Sequence, residues 1–65
     1  VPTLSPREWE VLKMLPEGLT NKGIGKKLGI SERTVKAHLT AIFSKLEVSD
    51  RTQAAMWVRD NPPQR

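Results

Sequence analysis

From residue 5 onward the chain reads as four stretches of helical periodicity separated by short polar or glycine-containing breaks. Val35, Leu39, Ile42, Phe43 and Leu46 follow one another at intervals of 4, 3, 1 and 3, which gathers them on one side of a helix in which each residue advances 100°. Upstream, Trp9, Val11, Leu12 and Leu15 make a shorter stripe, and Ile24 and Leu28 stand four apart between the two. No stretch alternates apolar and polar residues as a half-buried strand would.

The breaks carry helix-start and helix-stop chemistry. In Ser5-Pro6-Arg7-Glu8 the Ser5 hydroxyl can accept from the Glu8 amide while the Glu8 carboxylate returns to the Ser5 amide, and Pro6 takes the first helical position, where a missing N–H costs nothing. Pro16, followed by Glu17-Gly18, stops this helix, because proline disfavours the helical region for the residue before it. Thr20 and Ser31 are N-cap residues for the second and third helices, and Gly29 suits the left-handed position that ends the second. In Asp50-Arg51-Thr52-Gln53 a second reciprocal cap is expected, with the Asp50 side chain on the Gln53 amide and the Gln53 side chain reaching back. The chain is therefore predicted to be all-α, a compact four-helix bundle with helices over about residues 6–15, 21–28, 32–46 and 51–60. Residues 61–65, with two prolines, are expected to form a frayed tail.

Only Ile30 stands between Gly29 and Ser31, so the second and third helices are joined by a sharp turn, and the pair describes a helix-turn-helix. Opposite the apolar stripe of the third helix lie Arg33, Ala37, Thr40, Ala41 and Ser44, with Lys36 on one edge and His38 and Lys45 on the other. Small and basic side chains without acids are what a helix needs to enter a groove about 12 Å wide between two rows of phosphate. Charge sharpens the picture when it is localised. The formal net charge is +4, but residues 22–45 hold Lys22, Lys26, Lys27, Arg33, Lys36 and Lys45 against Glu32 alone, and neither end of the chain is basic. A polyanion-facing surface belongs there.

Length and composition then exclude other classes. Sixty-five residues make one small domain with one core, and little room is left for a deep substrate pocket, so an enzyme is not expected. With no cysteine and a single histidine, His38, neither a disulfide framework nor a metal site is expected, and no cofactor or small-molecule ligand is called for. No run approaches the roughly 18 to 20 apolar residues of a membrane span, so the chain reads as cytoplasmic.

Leu4-Ser5-Pro6-Arg7-Glu8, Glu10-Val11-Leu12, Glu17 to Lys22, Ile24, Leu28-Gly29-Ile30-Ser31, Thr34-Val35-Lys36 with His38, and Lys45-Leu46 closely resemble the LuxR-type helix-turn-helix domain. The resemblance covers residues 4 to about 58, and Ala54-Ala55-Met56-Trp57-Val58 looks most like the response-regulator branch called NarL/FixJ. It implies the C-terminal output module of a longer bacterial transcription factor, which binds double-stranded DNA as a dimer, so that Val1 would follow a linker. Carried over by position, it implies that Lys36, Ala37 and Thr40 face base edges and that Thr34 and His38 contact phosphates. It also puts the fourth helix, with Ala54, Trp57 and Val58, at the contact of a weak homodimer.

The residues themselves leave some roles open. Lys36 suits guanine O6 and N7 or a plain phosphate. His38 is either a phosphate contact or a half-packed edge residue. Arg33, Lys22 and Lys45 are candidate phosphate contacts, while Lys26 and Lys27, like Lys22, suit equally a solvated face. Trp9 and Trp57 read as core or as interface, and Glu10 is expected to pair with a base such as Arg51. Gly23 and Gly25 stand where the resembling family usually has glutamate and alanine; each glycine inside a helix costs about 0.5–1 kcal/mol, so the second helix is expected to be the loosest. Two other readings fit the same pattern: a sigma-factor region-4-like promoter-binding domain, and a protein-interaction bundle docking through the fourth helix.

Overall fold

A computed structural model describes residues 3–61, and the expected frayed tail after Asn61 lies outside them. Four helices follow in order, α1 (Pro6–Leu12), α2 (Asn21–Leu28), α3 (Glu32–Leu46) and α4 (Arg51–Asp60), with no strand among the described residues. Their stripes meet in one core of Leu4, Val11, Leu12, Leu15, Ile24, Val35, Leu39, Ile42, Leu46, Ala54 and Val58. Helix α3 is its axis: it packs on α2, α1 and α4, and α1 also packs on α4.

The caps form largely as their chemistry dictates. Glu8 N–H donates to Ser5 Oγ at 3.2 Å and Ser5 N–H to Glu8 Oε1 at 2.9 Å, satisfying two amides that the helix start would otherwise leave without partners. Asp50 Oδ1 accepts from Gln53 N–H at 2.9 Å, but the Gln53 side chain returns to the amide of Ser49, not Asp50, at 2.8 Å. Because Asp50 is extended at φ −151°, the cap is held one residue further out than expected.

Helix α1 stops three residues short of the expected Leu15. Its last α-type bond runs from Lys13 N–H to Trp9 O at 2.9 Å; thereafter Met14 bonds Val11, Leu15 bonds Leu12, Glu17 bonds Met14 and Gly18 bonds Leu15. The influence of Pro16 reaches back a full turn, because its ring has no N–H for the Leu12 carbonyl. The chain tightens into i→i−3 turns instead and is closed by Gly18 at φ 79°. Leu15 still reaches the core.

Two pairings differ from the sequence expectation. Glu10 lies 3.6 Å from Arg7, one turn away and exposed, while Arg51 donates to Asn21 Oδ1 at 2.9 Å and to the Leu19 carbonyl at 2.7 Å, tying the start of α4 to the start of α2. The buried acid is Glu8, whose carboxylate takes Lys45 Nζ at 2.7 Å. Glu8, Val11, Leu12 and Leu15 share the i, i+3, i+4, i+7 stripe, so Glu8 faces inward and Glu10 does not. The two tryptophans meet each other across α1 and α4, ring centroids 5.9 Å apart and tilted by 43°, each half-buried against the core.

Candidate nucleic-acid interface

The joint between α2 and α3 sets the site. Gly29 adopts φ 72°, ψ 33° and its N–H returns to the Gly25 carbonyl, which also accepts from Ile30 N–H at 2.9 Å. A left-handed residue with no Cβ is what this closure requires. Ser31 then caps α3, accepting from Thr34 N–H at 3.1 Å, with the Ser31 and Thr34 hydroxyls 2.9 Å apart. The turn backbone passes directly over α2 at Gly25, where an added Cβ would lie 2.6 Å from the Ile30 carbonyl oxygen. Gly25 is thus a close-approach residue that fixes how α3 crosses α2, and the departure from alanine noted in the sequence has a structural reason.

Gly23 has no such constraint. A Cβ there meets only Leu19 and Thr20 side chains at ordinary contact distances of 3.5 Å, and its N–H already donates to Thr20 Oγ1 at 3.1 Å. Gly23→Glu should therefore stabilise the domain by about 1 kcal/mol in a denaturant melt, by adding a helix former, a carboxylate that can return to the Thr20 amide, and a negative charge at the positive helix end. A melt no different from the parent would show that residue 23 gains nothing from a side chain.

With α3 placed, Arg33, Lys36, Ala37, Thr40 and Ser44 are exposed along one face, and Thr34, His38 and Ala41 are half-buried at its margins. The one acid of α3, Glu32, stays in the first turn. Thr40 Oγ1 donates to the Lys36 carbonyl at 3.0 Å, and the Thr34 hydroxyl is shared with Ser31. On α2, Lys22, Lys26 and Lys27 are exposed, and its first turn carries no acid. Lys45 behaves differently from the other candidates: its ammonium is held by Glu8 at the far end of α3, so its charge is balanced within the fold. That engagement, then the Ser5 amide and hydroxyl, holds the Glu8 carboxyl below the usual glutamate range against the opposing effect of burial. Sequence reasoning gave Glu8 its place in the Ser5 cap but missed its burial and its pairing with Lys45, although its place in the apolar stripe was a readable signal.

Helix α4 also requires a correction. Ala54 is 0% and Val58 8% exposed, so both belong to the core and neither is available to a second subunit, while Trp57 is packed on Trp9. The outward face of α4 is Thr52, Met56 and Arg59, which with Leu15, Pro16, Arg51 and Ala55 line a shallow groove. Met56, at 55%, is the exposed large apolar side chain among the described residues. The same residues contain no cluster of three His, Cys, Asp or Glu side chains able to hold a metal ion, and no helix long and apolar enough to cross a membrane.

A capped α2, a glycine turn held by close backbone approach, and an α3 with a small, basic outward face define a helix-turn-helix DNA-binding domain. The family model of "Bacterial regulatory proteins, luxR family" matches residues 2–58, and the chain belongs to that family. It is 54% identical over 59 residues to the transcriptional regulatory protein LiaR of Bacillus subtilis, an alignment covering 91% of this chain and 28% of that protein. It is 44% identical over 55 residues to the nitrate/nitrite response regulator protein NarL of Escherichia coli, covering 85% and 26% respectively. The chain thus spans about a quarter of the length of these relatives. Among solved structures, that of the response regulator ChrA from a heme-sensing two-component system superposes with a TM-score of 0.84 at 48% identity, covering 92% of this chain and 30% of that one. A chain from the complex of the anti-activator RapF with the ComA DNA binding domain gives a TM-score of 0.80 at 41% identity, covering 83% and 93%.

Proposed function

We propose that this domain is the output module of a bacterial response regulator acting in the cytoplasm, and that it binds specific double-stranded sites by inserting α3 into the major groove. The observation that carries this reading is the exposed α3 face of Arg33, Lys36, Ala37, Thr40 and Ser44, which has no acid beyond the first turn. Lys36, Ala37 and Thr40 meet base edges; Arg33, Thr34, His38 and Lys22 meet phosphates, with α2 lying across the backbone as the first helix of such motifs does. Lys45 is left out of the set because Glu8 holds it.

Pairing on adjacent half-sites uses the outward face of α4, with Thr52, Met56 and Arg59 in place of the buried Ala54 and Val58. A standard interface of about 800 Å² per partner would take nearly a fifth of the 4546 Å² that the protein exposes, and only Met56 offers a large apolar anchor there. Self-association is therefore weak without DNA and becomes effective when two half-sites hold two domains side by side.

The test is binding to random duplex and to a duplex selected from a random pool, at several salt concentrations. With two cationic phosphate contacts, Arg33 and Lys22, log K should fall with log salt at a slope of about −2. Lys36→Ala should cost about 1–2 kcal/mol on the selected duplex and less on random DNA. Equal losses would make Lys36 a phosphate contact, and salt-independent binding would remove the proposal.

A further inference from the structure

Thr40 is exposed at the middle of the α3 outer face, yet its hydroxyl is turned onto its own helix, donating to the Lys36 carbonyl at 3.0 Å. This back-bond to the carbonyl four residues earlier is a recognised alternative for threonine in a helix. A threonine hydroxyl has one proton, so none remains for a base acceptor such as guanine O6 or N7. What the side chain still offers a partner is its γ-methyl group and an acceptor lone pair. Ala37, three residues earlier and also exposed, stands as a neighbour on the helix surface, so two small apolar groups lie side by side between Lys36 and the C-terminal half of α3.

We propose that Thr40 selects thymine by packing its γ-methyl group against the thymine 5-methyl group, and that its hydroxyl takes no part in base reading. This rests on the insertion of α3 into the major groove argued above. In that groove thymine alone among the four bases presents a methyl group, while cytosine and adenine present amino donors. A methyl–methyl contact rewards thymine by removing two apolar surfaces from water, and it places an unpaired amino group against an apolar surface when the base is wrong.

The experiment uses a duplex selected from a random pool, with each thymine of the half-site replaced in turn by deoxyuridine, which deletes the 5-methyl group and keeps the hydrogen-bonding edge. One position should lose about fourfold in affinity, the fold-change corresponding to burial of roughly one methyl group. Thr40→Ser, which keeps the hydroxyl, should bind the thymine duplex about fourfold more weakly and should no longer distinguish thymine from deoxyuridine there. Thr40→Val, which keeps the methyl and deletes the hydroxyl, should retain both affinity and discrimination. All three proteins should melt alike, since residue 40 lies on the surface. A Thr40→Val protein that loses affinity while Thr40→Ser keeps it would show that the oxygen is read, as an acceptor from adenine or cytosine, and would overturn the proposal. So would a duplex with no deoxyuridine-sensitive position, or one whose sensitivity persists in Thr40→Ser and disappears in Ala37→Gly. Failure to select any duplex would instead defeat the DNA-binding reading beneath it.

Discussion

Gly25→Ala is expected to destabilise the domain by about 2–3 kcal/mol, although the same change in an ordinary helix interior is worth up to about 1 kcal/mol in the opposite direction. The added Cβ would lie 2.6 Å from the Ile30 carbonyl oxygen, with Ser31 and Glu32 backbone atoms at 3.5 and 3.6 Å. Backbone cannot rotate aside as a side chain can, so the turn must shift, and the left-handed closure at Gly29 shifts with it. A 65-residue domain has roughly 3–10 kcal/mol in all, so the loss is a large share. Because the same turn sets the crossing of α2 and α3, DNA affinity should fall even at temperatures where the variant is folded. Denaturant melts of Gly25→Ala beside Gly23→Glu make the test internal: two glycines of one helix should move stability in opposite directions. Equal gains at both would mean that the α2–α3 turn yields freely to a methyl group.

The second large effect comes from the acid that binds the two ends of the fold together. Glu8 caps its own helix through Ser5 and holds Lys45 at 2.7 Å, 37 residues away. Glu8→Ala should cost about 2–3 kcal/mol, through the lost cap acceptor, the lost pair and the space left beside the core. Lys45 is 42% exposed, so solvent screens the pair, and Glu8→Gln, which keeps an oxygen for the Ser5 amide, should cost only about 1 kcal/mol. The pair also gives stability a pH dependence. Since the folded-state pKa of Glu8 is depressed, its contribution is complete above the ordinary glutamate range and is lost as pH falls through the lower folded value. The parent should therefore lose stability with acid in that window more steeply than Glu8→Gln. Parallel curves for the two proteins would show that the Glu8 carboxylate carries no net stabilisation.

How far the sequence revealed all this depended on whether a feature was local. The three later helices start where their caps indicate, and α2 ends at its glycine, because N-cap hydroxyls, Asp50 and a left-handed glycine act within a few residues. The exposed face of α3 was legible from period alone, since helix geometry puts Arg33, Lys36, Ala37 and Thr40 opposite Val35, Leu39 and Ile42 whatever surrounds them. Features that depend on a distant segment were not legible. Gly25, four residues before the turn glycine, stands where a helix-turn-helix packs closely, but that the Ile30 carbonyl oxygen is the atom against it shows only with the turn in place, and Lys45 looked like a free cation until Glu8 was seen to hold it. Ala54 and Val58 looked like contacts for a second subunit, yet they close the core, because a fourth helix in so small a domain must bury its apolar face at home. Glu47 ends α3 at φ 58° and ψ 42°, a left-handed position where the sequence gives no glycine to announce it.

The proposed function requires that the α3 face, and not α4, meets DNA. It is tested most directly by following backbone amide resonances of the isotope-labelled domain while a duplex carrying one selected half-site is added. Shifts should concentrate at Arg33, Lys36, Ala37, Thr40 and Ser44, extend to Lys22 at the start of α2, and leave Thr52, Met56 and Arg59 little changed. Shifts centred on Thr52, Met56 and Arg59, with the α3 face unmoved, would contradict the claim.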